Sequence, residues 1–272
     1  MRRLILPLLL PLLVACTTSV QTPSPAASPG ARLENTPRHD EWVTIESAGR
    51  TLHAYVVYPQ VSRKAGSVVV IHENRGLTDW VRSVADRLAE AGYIAVAPDF
   101  LSGAAPNGGR TSDFPTQDAA REAISKLTRP GVRDDLVRVV EWMRKIPSAN
   151  GKVAVAGFCW GGSRAWDAAN GVEGLARTFV FYGTGPDDDT SVAGIDGPVF
   201  GFYGGDDERV NATIGATRAA MQRQDKVFDP VIYPGAGHAF MRLGEEASGT
   251  EANRSARDQA WTRWLRELKA IE

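Results

Sequence analysis

The chain has 272 residues, of which 43% are hydrophobic and 23% are charged, and its formal net charge is −1 at pH 7. This composition is typical of a globular protein with a sizeable core. The near-neutral charge provides no global field that would recruit nucleic acid or an acidic membrane, and no basic cluster or zinc-finger spacing points to nucleic acid. We therefore expect the function to come from a local site.

The first 15 residues have the organisation of a secretory signal peptide. Arg2 and Arg3 precede an apolar run that is short for a membrane span, and small residues follow it. The segment ends in LVAC (residues 13–16), which resembles a bacterial lipobox, in which the cysteine is acylated and becomes the first mature residue. We expect an exported protein of the periplasm or cell envelope that touches a membrane only through a lipid on Cys16. The alternative is a secreted protein without lipid.

Residues 16–40 are rich in proline, serine, threonine and alanine. Little in this stretch could bury a core, so the composition predicts a flexible tether. The hydrophobic pattern changes at about residue 41, and we assign residues 41–272 to one folded domain.

Strands and helices alternate along this domain. Short β-branched or aromatic runs predict strands, and apolar residues three and four apart predict helices. The strands are expected at 41–49, 50–59, 67–73, 93–99, 152–158, 177–183, 198–205 and 228–234, and the helices at 79–92, 132–146, 161–170, 211–224 and 254–270. This order predicts an α/β fold in which helices cover both faces of a mostly parallel sheet, with ligands bound beyond the carboxyl ends of the strands.

Three of those strand ends carry a nucleophile, an acid and a base. Cys159 follows the strand 152–158 within GFCWG, Asp206 and Asp207 follow the strand 198–205, and His238 follows the strand 228–234. GFCWG has the G-x-S-x-G form of a nucleophile elbow with sulfur in place of oxygen, and the order nucleophile, acid, histidine is that of α/β-hydrolases. Each residue alone has an ordinary structural explanation, such as a small buried thiol or a solvated turn, but their common placement favours catalysis.

A fourth strand end carries HENRGL, where α/β-hydrolases place one of the two backbone amides of the oxyanion hole. The backbone N–H groups of Asn74 and Trp160 are the candidate donors to a tetrahedral intermediate. Glu73 ends a buried strand in the same segment, and a carboxylate there requires a partner. HENRG lacks the second histidine of a zinc-binding H-E-x-x-H motif, so we predict no metal site.

The motifs HENRGL, APDF, VAVAGFCWGG, FYGGDD and GAGHAFMR occur in matching order between residues 43 and 268 and together resemble the dienelactone hydrolases, or carboxymethylenebutenolidases. The resemblance implies an α/β-hydrolase fold with a triad of Cys159 as nucleophile, His238 as base and Asp207 as acid. It also implies that Glu73 exchanges partners and helps to deprotonate the cysteine, and that Arg242 pairs with Glu73 and with a substrate carboxylate.

The sequence departs from the family pattern after the fourth strand. The family's best-studied members carry a second substrate-binding arginine there, whereas this chain has Ser102 and Gly103 and its nearest arginine is Arg110. One guanidinium holds a carboxylate less firmly than two, because paired contacts contribute much of the specificity. The departure therefore weakens the expectation that dienelactone itself is the substrate.

We expect hydrolysis of a small-molecule ester or lactone through an acyl-cysteine, by a monomer that needs no metal or organic cofactor and no nucleic acid. A broad carboxylesterase or a thioesterase is the alternative within the same class. The alternative from another class is a binding lipoprotein that has the hydrolase fold without activity, because a fold alone does not determine function.

Overall fold

A computed structural model describes residues 28–272 of the chain. It contains eight strands and eight α-helices within those residues. The strands are β1 (Asp40–Ser47), β2 (Arg50–Val57), β3 (Ala65–Ile71), β4 (Ile94–Pro98), β5 (Ala149–Phe158), β6 (Leu175–Phe181), β7 (Val199–Gly204) and β8 (Phe228–Tyr233). The helices are α1 (Pro29–Glu34), α2 (Asp79–Glu90), α3 (Gln117–Ser125), α4 (Arg129–Met143), α5 (Trp160–Gly171), α6 (Glu208–Arg223), α7 (Phe240–Leu243) and α8 (Glu251–Leu268).

All eight strands form one sheet in the order β1-β2-β4-β3-β5-β6-β7-β8. The first two strands form a hairpin, and β2 pairs antiparallel with β4. The strands from β4 to β8 along the sheet are parallel. Their carboxyl ends therefore lie along one edge, and the loops that follow β3, β5, β7 and β8 meet there.

The apolar core lies on both faces of this sheet. One face packs side chains of α4 and α5 such as Leu136, Val139 and Ala165, and the other packs side chains of α2 and α8 such as Leu88 and Trp264. Every residue of β3 is buried, as its continuous β-branched run predicts for a strand covered on both sides. The predicted mostly parallel sheet with helices on both faces is confirmed.

The structure adds three α-helices that the sequence patterns did not predict. One of them is the four-residue α7, which follows β8, and two lie elsewhere in the chain. One is α3, which buries only Ala120 and Ile124. The other is α1, which lies where we expected a tether. In the described part of that segment, Arg32 and Arg38 both contact the carboxylate of Asp86 on α2, so ion pairs hold residues 29–38 against the domain although they contribute no buried apolar stripe.

The predicted signal peptide, the lipobox and Cys16 lie outside the described residues. Within residues 28–272, no helix combines the length and apolar character needed to cross a membrane.

Candidate active site

Cys159 sits in the tight turn between β5 and α5. Its backbone has φ 55° and ψ −114°, a conformation that costs energy for a residue with a side chain. The neighbouring glycines allow the turn to pack. A Cβ on Gly157 would collide with the carbonyl of Gly161, and a Cβ on Gly161 would collide with the carbonyls of Ile71 and His72. The backbone thus presents the thiol at the end of the sheet, as a nucleophile elbow does.

His238 joins Cys159 to Asp207 through its two ring nitrogens. Nε2 lies 3.1 Å from the Cys159 Sγ atom, and Nδ1 lies 2.5 Å from Asp207 Oδ2. Asp207 is buried between β7 and α6, whereas its neighbour Asp206 is exposed. The structure therefore brings together the three side chains that the sequence singled out, with the second aspartate of the pair against the histidine.

The surroundings of His238 change its protonation. Burial alone lowers the pKa of the imidazole, but the hydrogen bonds and charges of Cys159 and Asp207 outweigh burial and raise the pKa from 6.5 to about 9. The histidine therefore favours the imidazolium form at neutral pH. A cation at this position stabilises a thiolate on Cys159, which is the nucleophilic form of the group.

Glu73 is buried at the end of β3 and is paired with Arg242 of α7. The Arg242 Nε atom lies 2.9 Å from Glu73 Oε2, and its Nη1 atom lies 2.6 Å from Glu246 Oε1. Glu73 therefore has the partner that a buried carboxylate needs. Among residues 28–272, Glu73 makes no hydrogen bond to Cys159. In this arrangement its carboxylate is hydrogen-bonded to Arg242 and not to the thiol.

Tyr182 is a member of the site that the sequence reasoning missed. It follows β6 with φ 42° and is fully buried, and its hydroxyl lies 3.5 Å from Glu73 Oε1. Its ring packs edge-on against His238 with a centroid distance of 5.2 Å. Its placement after a parallel strand was the one available signal, since no motif marks it.

The two backbone amides expected to form an oxyanion hole follow two neighbouring strands, β3 and β5. Trp160 opens α5, and Asn74 lies in the loop that follows β3. Within the described residues neither N–H donates a hydrogen bond to another protein group, so both remain available to a ligand. The first backbone N–H groups of a helix have no intrahelical acceptor, which explains the free N–H of Trp160.

A cavity of about 920 Å³ opens between the loop after β3, the loop after β4 and helix α7. Arg242 lines this cavity, whereas Cys159 and His238 do not. Ser102 lies in the segment after β4 where the resemblance implies a second arginine, and it is buried, with its hydroxyl donating to the backbone carbonyl of Asp99. Arg110 also lines the cavity, but its guanidinium is stacked 3.9 Å above the ring of Trp42.

No group of three or more histidine, cysteine, aspartate or glutamate side chains is placed to hold a metal ion in the part of the chain that the structure describes. The polar side chains at the strand ends are instead engaged in pairs, His238 with Asp207 and Glu73 with Arg242.

Comparison with known proteins identifies the family of the chain. The family model described as "Dienelactone hydrolase family" matches residues 52–272. Carboxymethylenebutenolidase 1 of Cupriavidus pinatubonensis is 32% identical over 222 residues, which cover 78% of this chain and 91% of that relative.

Two solved structures share the fold. A candidate dienelactone hydrolase of Klebsiella pneumoniae superposes with a TM-score of 0.74 at 25% identity, covering 86% of this chain and 99% of that one. A dienelactone hydrolase-like promiscuous phosphotriesterase from metagenomic libraries superposes with a TM-score of 0.72 at 21% identity, covering 86% and 98%. The α/β-hydrolase fold predicted from the sequence is confirmed. With the family model spanning every strand from β3 to β8 and each of the loops that carry the site, the chain belongs to the dienelactone hydrolase family.

Proposed function

We propose that the protein hydrolyses a carboxylic ester or lactone through an acyl-enzyme on Cys159. The observation that carries the proposal is the position of His238, with one ring nitrogen 3.1 Å from the thiol sulfur and the other 2.5 Å from a buried carboxylate. Such an arrangement of nucleophile, base and orienting acid is the general signature of covalent acyl transfer.

In the acylation half-reaction, the Cys159 thiolate attacks the carbonyl carbon and the carbonyl oxygen becomes an oxyanion. The N–H groups of Asn74 and Trp160 donate to that oxyanion. As the carbonyl re-forms, the bond to the leaving oxygen breaks and the imidazolium of His238 protonates that oxygen. The products are an alcohol, or the opened end of a lactone, and a thioester on Cys159.

In the deacylation half-reaction, neutral His238 takes a proton from water and the hydroxide attacks the thioester carbon. The C–S bond breaks, the thiolate leaves and the carboxylic acid is released. Asp207 keeps the Nε2 atom of the imidazole directed at the sulfur through both half-reactions, because its hydrogen bond to Nδ1 fixes the ring. The thiolate–imidazolium pair is then restored.

Arg242 is our candidate for binding an acidic group on the substrate. Its guanidinium lines the cavity and is held by Glu73 from inside the protein. Entry of a carboxylate would compete with Glu73 for the guanidinium and would free Glu73 to approach the thiol, as the family resemblance implies. Because Ser102 is buried and Arg110 is stacked on Trp42, neither of these residues after β4 supplies the second arginine of the family pattern. This difference favours a broader carboxylesterase as the second candidate.

The test uses purified protein, 4-nitrophenyl acetate and a panel of lactones and thioesters, with wild type compared with Cys159→Ala and His238→Ala. We expect both variants to lose at least about 10³-fold in kcat, as triad removal does in enzymes of this type. If wild type hydrolyses none of the substrates faster than Cys159→Ala does, the enzymatic proposal fails and the binding-protein alternative replaces it.

We also propose that the mature protein begins at Cys16 and is lipid-anchored in the cell envelope. The proposal rests on the order of charged, apolar and small residues before Cys16. Metabolic labelling with an alkyne fatty acid should modify the wild-type protein and not Cys16→Ser, and the two should separate into membrane and soluble fractions. Equal labelling of the two would exclude acylation at Cys16.

A further inference from the structure

His72 lies directly behind the proposed oxyanion hole, and the proposed mechanism does not use it. It follows β3, is completely buried, and places Nδ1 2.7 Å from the backbone carbonyl oxygen of Glu73. A carbonyl oxygen can only accept a hydrogen bond, so Nδ1 carries the proton and donates it. Burial lowers the pKa of His72, which keeps the imidazole neutral with its proton on Nδ1.

The carbonyl that His72 holds belongs to the same peptide group as the Asn74 N–H. A trans peptide is planar, and its C=O and N–H bonds point in opposite directions. Fixing the Glu73 oxygen therefore fixes the direction of the Asn74 N–H. Gly76 also donates to this oxygen, at 3.3 Å, so two hydrogen bonds hold the peptide from behind. A peptide whose oxygen accepts hydrogen bonds is polarised, which makes its N–H a stronger donor.

The imidazole ring of His72 also contacts the other side of the hole. It stacks on the indole of Trp160 with a centroid distance of 5.3 Å and an interplanar angle of 14°. Phe100 packs edge-on against His72 at 5.4 Å and against Trp160 at 5.9 Å. Because Gly161 packs against the carbonyl of His72, the backbone of the elbow and the end of β3 are in direct contact as well.

We propose that His72 is a positioning residue for the oxyanion hole, which aims the Asn74 N–H through its hydrogen bond to the Glu73 carbonyl. This inference rests on the proposed ester hydrolysis. Within the described residues the Nε2 atom of His72 is buried without a hydrogen-bond partner. A histidine placed here only for packing would gain nothing over a phenylalanine that avoids this orphaned nitrogen.

Two substitutions separate the two contacts of His72. His72→Phe keeps a ring against Trp160 and removes the Nδ1 donor, whereas His72→Asn keeps a donor at the position of Nδ1 and removes the ring. The readout is the rate constant of the 4-nitrophenolate burst from 4-nitrophenyl acetate, which reports acylation and does not depend on the fraction of folded protein. Alkylation of Cys159 by iodoacetamide is measured in parallel, because displacement of iodide forms no oxyanion.

We expect His72→Phe to slow acylation by at least about tenfold. The loss should stay below the 10²–10³-fold loss seen when an oxyanion donor is removed outright. Its alkylation rate and KM should stay within about twofold of wild type, since the thiolate and the binding cavity are untouched. His72→Asn should recover most of the acylation rate.

If wild type shows a burst and His72→Phe shows a burst with the same rate constant, this inference is overturned and the proposed function still stands. His72→Asn as slow as His72→Phe would likewise overturn the role of the Glu73 carbonyl. If wild type itself shows no acylation by any ester or lactone, the proposed function fails and this inference fails with it. Equal loss of acylation and alkylation in His72→Phe would point to damage at Cys159 instead and would also overturn it.

Discussion

The Nε2 atom of His238 lies 3.1 Å from the Sγ atom of Cys159, close enough for the two groups to share one proton. The histidine is raised in pKa to about 9 although burial opposes that shift, so the shared proton resides on the ring at neutral pH. A change at the sulfur should therefore be felt at the imidazole, whose pKa depends on the hydrogen bond and charge of Cys159.

The first prediction follows from that coupling. Replacing Cys159 with serine keeps a hydroxyl beside the ring but removes the negative charge that helps to raise the pKa of His238, so this pKa should fall toward the ordinary histidine value of 6.5. Titration of the imidazole C2–H signal by NMR measures the change, and the chain has only four histidines to assign. A pKa that is the same in wild type and Cys159→Ser would contradict the pairing.

The first prediction extends to stability, because the same pair makes the free energy of unfolding depend on pH with a defined sign. A histidine whose folded pKa is raised stabilises the fold fully below its unfolded pKa, near 6.5, and this contribution is lost as pH rises through about 9. The advantage of wild type over His238→Gln in unfolding free energy should therefore be larger at pH 6 than at pH 9.5, by on the order of 2 kcal/mol after allowance for solvent screening. Urea denaturation at the two pH values measures it, and an advantage that grows with pH would have the wrong sign.

The second prediction concerns the two aspartates after β7. Asp207→Asn removes the charge that orients His238 and should lower the acylation rate by about 10² or more, by analogy with triads in which an asparagine leaves the histidine in the wrong tautomer. Asp206→Asn is the matched control, because Asp206 is exposed and makes no side-chain contact with His238. Equal losses in the two variants would remove Asp207 from the mechanism.

The third prediction concerns Glu246, which holds the Nη1 atom of Arg242 at 2.6 Å from a position four residues further along the chain. In Glu246→Gln the guanidinium is freer to bind a substrate carboxylate. The preference for mono-4-nitrophenyl succinate over 4-nitrophenyl butyrate, compared as kcat/KM, should rise two- to threefold, because a partly exposed ion pair contributes only about 0.5 kcal/mol. Glu173→Gln, an exposed change outside the cavity lining, should leave the preference unchanged. A preference that falls in Glu246→Gln would show that Arg242 does not bind the carboxylate.

The fourth prediction concerns the ion pairs that hold the N-terminal helix. The Asp86 carboxylate is fully buried, accepts hydrogen bonds from Arg38 at 2.7 and 2.8 Å, and forms an ion pair with Arg32 at 2.6 Å. Asp86→Asn leaves the Arg38 guanidinium without a compensating charge, whereas Arg32 keeps its pair with Glu90, and the change should lower the unfolding free energy by about 2–3 kcal/mol, toward the lower end of values for broken buried pairs. Trypsin should then cleave after Arg32 and Arg38 faster than in wild type. Asp79→Asn, which removes an exposed pair with Arg82, is the control and should change little.

Most of the sheet is predictable from the sequence because its strands are buried on both faces. The run at residues 67–71 is apolar or β-branched apart from Ser67 and becomes the fully buried β3. The helices α1 and α3 were not predictable in the same way. None of the residues of α1 is buried, and its contact with Asp86 joins residues about fifty positions apart, which no local pattern reports.

The residues of the candidate site likewise fall into a group that the sequence predicts and a group that it does not. Cys159, Asp207 and His238 could be found because each follows a strand within a motif whose chain order has a chemical meaning. Tyr182 and His72 could not be assigned, since the role of each depends on a neighbour: the carboxylate of Glu73 for the tyrosine, and the carbonyl of the same residue for the histidine. Which atom of Glu73 each side chain contacts is decided by packing in three dimensions and cannot be inferred from the spacing of residues along the sequence.

The three parts of the triad come from loops far apart along the chain, with His238 79 residues beyond Cys159 and 31 beyond Asp207. A polypeptide made from its amino terminus therefore contains the thiol long before the imidazole is synthesised. Until β8 has joined the edge of the sheet, no cation faces the sulfur and no acyl group can be transferred to it by this route. The proposed reactivity thus requires the chain through His238, and a product truncated before β8 would carry the thiol without the histidine that activates it.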